Sequence, residues 1–120
     1  MTNILLIHHD LHTAEKLKHI IMNCYVECSI QTIVPRNIND ITNVIEGNLG
    51  TIDVCFTQIQ FNGFSVFGLA KKIRTLNPKV KIVVFSDTEE YAMEAWKYGI
   101  NEYLLNPITH EKIRASINNF

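Results

Sequence analysis

GFSVFGLAKKIRTLNPKVKIVVFSDTEEYAMEAWKYGINEYLLNP, residues 63–107, shows the architecture of the chain in miniature. Two kinds of segment alternate in it. Ser65–Leu76 has helical spacing, with Ser65 as a candidate N-cap and Pro78 just past its end. Val80–Phe85 (VKIVVF) is a short, almost continuous apolar run, as expected of a strand covered on both faces. Thr88–Tyr98 returns to helical spacing and is closed by Gly99. Tyr103–Leu105 predicts one more short strand. Strands separated by single helices imply parallel pairing through right-handed crossovers.

The same alternation continues on either side. Ile4–Ile7 (ILLI) predicts a central strand, and Leu11–Cys24 an amphipathic helix bearing Leu17, Ile20, Ile21 and Cys24. Glu27–Val34 (ECSIQTIV) alternates and runs into Pro35, which suits a strand nearer the sheet edge. Asn39 or Asp40 can cap a short helix carrying Ile41, Val44 and Ile45 and stopped by Gly47. Ile52–Thr57 (IDVCFT) is the third strand, and Thr109 caps a final helix with Lys112 and Arg114 on its wet face. Five strands alternating with five helices give a three-layer α/β fold, one domain over residues 1–120. Function in such doubly wound parallel sheets gathers at the carboxyl ends of the strands. Those ends carry His8, His9 and Asp10, then Gln58, Ser86 and Asn106.

Composition narrows the function. The 120 residues are 47% hydrophobic and 19% charged with a net charge of -1, so no global basic field draws the chain to nucleic acid or anionic lipid. Cys24 and Cys28 have no second cysteine pair to complete a zinc site, and Cys55 lies in an apolar run; reduced, buried thiols in a cytoplasmic protein are expected. No segment is long enough to span a bilayer, and the apolar N-terminus is too short for a signal peptide.

Residues 63–107, and with them essentially the whole chain, resemble the receiver domains of two-component response regulators, and most closely those that carry LytTR DNA-binding output domains. The resemblance implies a flavodoxin-like receiver fold with strand order 2-1-3-4-5. It also implies a site of known composition, from which this chain departs. The acidic pair after the first strand falls on His8 and His9, followed by Asp10; the phosphoacceptor aspartate falls on Gln58; the lysine after the fifth strand is Asn106. Ser86, the aromatic switch position Tyr103 and Pro107 are kept, and the loop after the acceptor reads FNG with Gly63 retained. The resemblance further implies a cis peptide at Asn106–Pro107.

These departures have a common chemistry. Aspartyl phosphorylation needs a carboxylate nucleophile and Mg2+, a hard cation that seeks oxygen ligands. An amide at Gln58 is a poor nucleophile, and imidazoles at His8 and His9 are the wrong softness for Mg2+. A lysine at position 106 would lack an anionic partner, whereas Asn106 can hydrogen-bond to Gln58 or to backbone without charge. Weak or absent Mg2+ binding, no other cofactor and no enzymatic activity are therefore expected.

Other readings of these residues carry less. His8, His9, Asp10 and His12 could attract a transition metal, but adjacent residues at a strand end point to opposite faces, so no metal site is expected. A histidine phosphoacceptor is chemically allowed but would lack the usual acids and lysine. Ser86 has no evident base partner, and Asp87 is expected to be solvated in its loop. The HHDLHT loop has no glycine to admit a flavin phosphate. Tyr91, Trp96 and Tyr98 are candidates either for the core or for anchoring a partner. The expectation is a pseudo-receiver acting by protein–protein contact; the resemblance implies that the face of its fourth helix, fifth strand and fifth helix dimerises or docks another protein. DNA would be met only through an output domain beyond Phe120, and no membrane contact is expected. The alternatives are a phosphorelay receiver with a non-standard acceptor and a ligand or metal sensor built on His8, His9 and Asp10.

Overall fold

A computed structural model describes residues 1–48, 51–61 and 64–118 of the chain. Strands β1 (Thr2–Ile7), β2 (Cys28–Ile33), β3 (Val54–Gln58), β4 (Lys81–Ser86) and β5 (Glu102–Leu105) form one parallel sheet in the order β2-β1-β3-β4-β5. The register runs Ile4 beside Val54 and Ile30, Val54 beside Lys81, and Val83 beside Glu102. Helices α1 (Leu11–Cys24), α2 (Ile38–Asn48), α3 (Val66–Leu76), α4 (Ala92–Lys97) and α5 (His110–Asn118) alternate with the strands.

Strand periodicity sorts the apolar side chains into two layers. Ile4, Leu6, Val54, Phe56, Val83 and Phe85 face α1 and α5, where they meet Leu17, Ile21 and Ile113. Leu5, Ile7, Cys55, Ile82 and Val84 face the other way, toward Ile41 and Ile45 of α2, the buried side of α3 and Ala95 of α4. Phe56, fully buried, stacks on Phe85 across the central strands at 5.9 Å between ring centroids. At the sheet edge, β2 alternates half-buried and exposed positions until Ile33, as its sequence predicts.

Several boundaries differ from expectation. The cap of α2 is Asn37, whose side chain accepts from the Asp40 amide at 3.2 Å, while Asp40 reaches back to the Arg36 amide at 2.8 Å. This reciprocal pairing starts the helix earlier than Asn39, and Gly47 is its penultimate residue rather than its stop. Ser65 directly precedes α3, the place expected of its N-cap, and its backbone also belongs to a two-residue antiparallel ladder, Gln60–Phe61 with Phe64–Ser65; its side chain, and with it the cap bond, lies outside the described residues, as does Gly63.

The largest difference is α4, which begins at Ala92 and not at Thr88. The Thr88 carbonyl already accepts from the Ser86 hydroxyl at 2.9 Å and the Tyr103 hydroxyl at 2.6 Å, so it does not start a helical ladder. At the other end Gly99, at φ 76°, closes α4 as predicted, in a conformation that side chains with a Cβ rarely adopt.

Candidate functional site

The carboxyl ends of β1, β3, β4 and β5 bring His8, Gln58, Ser86 and Asn106 to one rim of the sheet, as the strand reading predicts. At that rim a cleft of about 250 Å³ is lined by Gln58, Ser86, Asp87, Thr88, Tyr91 and Asn106. The Gln58 side-chain oxygen accepts from the backbone N–H of His9 and lies 2.8 Å from His9 Nδ1. An amide oxygen only accepts, so Nδ1 carries the proton in this contact.

The β1–α1 turn corrects the expectation that His8 and His9 diverge. Beyond Ile7 the strand has ended, and the two imidazoles stack at 4.9 Å between centroids with 19° between planes. His8 Nδ1 accepts from the Asp10 amide at 3.1 Å. Asp10 does not turn into the cleft: it is the N-cap of α1, accepting from the Thr13 amide at 3.0 Å and the Thr13 hydroxyl at 2.6 Å. Those bonds hold its carboxyl below the usual carboxylate range. Among the described residues no group of three or more His, Cys, Asp and Glu side chains is placed to hold a metal ion.

Burial first, and the neighbouring His9 second, lower the pKa of His8 from its ordinary 6.5. The unfolded chain therefore binds a proton at this residue before the folded chain does. Stability is expected to fall as pH drops below about 6.5, with the loss complete below the folded-state value. His8→Gln should flatten this limb of a urea-midpoint series measured from pH 7.5 to 5; an unchanged slope would place its origin elsewhere.

Asn106 does not bond Gln58. Its amide donates to Asp87 at 2.8 Å, and Asp87, though exposed, is thereby partnered rather than merely solvated. The Asn106–Pro107 peptide is cis, as expected. Ser86 is buried and committed to the Thr88 backbone, accepting from its amide at 3.1 Å and donating to its carbonyl. Tyr103 is half-buried with its hydroxyl on the same carbonyl.

Lys112 is a residue whose role the sequence reading missed. It does not lie on the wet face of α5: its ammonium folds back to donate to the Leu105 and Pro107 carbonyls at 2.6 and 2.9 Å, on either side of Asn106. Its position three residues after the cap Thr109 is the one signal that it could reach back over the turn. The aromatic candidates separate. Tyr91 and Tyr98 pack on Phe67, at 6.4 and 5.0 Å between centroids, and belong to the core side. Trp96 is 63% exposed. Cys55 is fully buried, which pushes its thiol up to about 12, whereas Cys24 and Cys28 are only half-buried, short of the burial expected of them; none of the three is in a disulfide.

A doubly wound parallel sheet with its polar cluster at this rim defines a class, and the chain belongs to the response regulator receiver domain family, whose model matches residues 4–118. The chain is 35% identical over 66 residues to the uncharacterized transcriptional regulatory protein YesN of Bacillus subtilis; the match takes in 53% of the chain but 18% of that protein. Among solved structures, a response regulator receiver domain protein from Clostridium thermocellum superposes with a TM-score of 0.85 at 21% identity, covering 99% of this chain and 93% of the other. A two-component response regulator from Clostridium difficile gives a TM-score of 0.81 at 25% identity, covering 98% and 93%. These likenesses cover the receiver fold. Among the described residues no helix is long and apolar enough to cross a membrane.

Proposed function

We propose that this receiver domain is a pseudo-receiver, which signals through protein–protein contacts without aspartyl phosphorylation. The observation that carries this reading is Gln58, a neutral amide at the acceptor position whose oxygen is engaged by both the backbone and the ring of His9. Such an oxygen is neither a carboxylate nucleophile nor presented to an incoming phosphorus. The donor set also fits Mg2+ poorly. Asp10 is engaged by Thr13 and Asp87 by Asn106, and the residues at the acidic-pair positions are imidazoles.

In this reading the rim is a hydrogen-bonded latch. Gln58 ties β3 to the β1–α1 turn, Asn106 ties β5 to Asp87, and Ser86 and Tyr103 pin Thr88. The output is the face made by α4, β5 and α5, with Trp96 as its exposed aromatic anchor. The domain would work in the cytoplasm, and the kinship with a transcriptional regulatory protein supports a role at the head of a longer regulator, where DNA is met by another domain.

Intact-mass measurement after incubation with acetyl phosphate and Mg2+ tests the reading. An unchanged mass is expected. One added phosphoryl group would overturn it, and mapping that group to His9 or to an acid would identify a working relay with a non-standard acceptor.

A further inference from the structure

Trp96, the single tryptophan of the chain, stands between two grooves of opposite charge. On its β5 side a groove of about 460 Å³ is rimmed by Glu89 and Glu102. On its α3 side lies a groove of about 530 Å³, within the size range of small-molecule sites. The charged side chains lining this second groove are all cations, Lys71, Arg74 and Lys97, in a chain whose net charge is -1. Lys71 and Lys97 are exposed and make no ion pair among the described residues.

Arg74 is held differently. Its Nη1 and Nη2 donate to the Pro78, Val80 and Gly99 carbonyls and to the Asn101 side chain, all of them neutral acceptors. The guanidinium is therefore fixed in place without a counter-ion, and burial lowers its pKa with no anion beside it to offset the effect. Its Nε–H has no acceptor among the described residues. A Cβ on Gly99 would stand 3.1 Å from that nitrogen. Glycine thus leaves open a place from which an oxygen atom can reach Nε at ordinary hydrogen-bond distance. The negative end of α4 does not oppose an anion there. The Ala95 and Trp96 carbonyls accept from the backbone of the following turn, and the Gly99 carbonyl accepts from Arg74.

A preset guanidinium with two ammoniums suits an oxyanion that carries more than one negative charge. An exposed indole in the same groove suits a planar ring, which it stacks on with little regard to substituents. We propose that the groove between the ends of α3 and α4 is a binding site for a nucleotide, with the phosphate on Arg74 Nε, Lys71 and Lys97 and the base stacked on Trp96. Arg74 ties the turns that enter β4 and β5, so the site lies at the amino ends of the strands, opposite the rim that carries Gln58. It goes beyond the pseudo-receiver reading and does not rest on it. One stacked ring in an open groove makes a weak site, with a Kd on the order of 0.1–1 mM.

Titration with adenosine monophosphate, followed by Trp96 fluorescence and by isothermal calorimetry, tests the proposal. Saturable binding that quenches Trp96 is expected. Adenosine, without the phosphate, and inorganic phosphate, without the ring, should each bind about tenfold more weakly. Guanosine monophosphate should bind within about threefold of adenosine monophosphate, because stacking tolerates any base. Lys71→Ala and Lys97→Ala should each weaken binding by about three- to fivefold, and Trp96→Ala, read by calorimetry, by about tenfold. Glu102→Gln, in the acidic groove, should leave the affinity unchanged. Circular dichroism of each variant confirms that the fold is kept. Absence of saturation well above the expected Kd would overturn the proposal. So would an affinity matched by adenosine or by phosphate alone, or one indifferent to Lys71, Lys97 and Trp96.

Discussion

Gln58→Asp alone is expected to leave the protein without phosphoryl uptake from acetyl phosphate and Mg2+, whereas His8→Asp/His9→Asp/Gln58→Asp/Asn106→Lys together should confer it. The single change supplies the nucleophile but not its electrophilic surroundings. The new carboxylate, one methylene shorter than Gln58, would stand back from the His9 N–H groups that now hold the amide oxygen. Mg2+ would still find imidazoles where it needs oxygen, and Asp10 would remain on Thr13. Catalysis of phosphoryl transfer rests on positioning and charge stabilisation, and removing even one preorganised donor costs about a hundredfold or more in rate. Intact mass with and without EDTA provides the readout, with Mg2+-dependent uptake expected only in the fourfold variant. Uptake by Gln58→Asp alone would mean that one amide is all that separates this rim from a working one.

Arg74→Ala is expected to cost about 2–4 kcal/mol of stability, because it strands several carbonyls at once. Arg74 Nη1 donates to Pro78 at 2.7 Å and Val80 at 2.6 Å, and Nη2 to Gly99 at 2.7 Å and the Asn101 side chain at 3.0 Å. Asn101 in turn accepts from the Ile82 amide of β4 at 2.8 Å. One guanidinium thus joins the end of α3, the turn into β4 and the turn between α4 and β5. Its side chain also lies 3.1 Å from where a Cβ on Gly99 would stand, so that turn is shaped around it. For a domain of this size the loss corresponds to a fall in Tm on the order of 10 °C. Arg74→Lys should recover only part of it, since an ammonium cannot reach acceptors spread across a planar fork. Thermal unfolding followed by circular dichroism decides: a drop under about 2 °C would mean the carbonyls find water instead.

The fold was legible because its signals are local and periodic. Continuous apolar runs at β1, β3 and β4 match strands buried on both faces, and the 3.6-residue period of α1 matched the structure at both ends. The identities at the rim were legible too, since strand ends follow directly from strand positions. What could not be read were hydrogen bonds between segments distant in sequence. Thr88 looks like a helix start until Tyr103, from another strand, takes its carbonyl. Lys112 looks solvated until the chain turns its ammonium onto Leu105 and Pro107. Asn106 has an amide that suits several partners, and only the placement of β4 beside β5 selects Asp87 over Gln58.

By itself, then, the amino-acid order determined the alternation of elements, the two apolar layers and the neutral amide at the end of β3. These depend on periodicity and residue chemistry, which are properties of neighbours along the chain. Tertiary structure alone decided that Gln58 meets His9, that Asn106 takes Asp87, and that Trp96 stands out between grooves of opposite charge. Each of those outcomes is a choice among near-equivalent partners for a polar or aromatic group, and the choice is settled by which segments the sheet brings within hydrogen-bonding or packing distance.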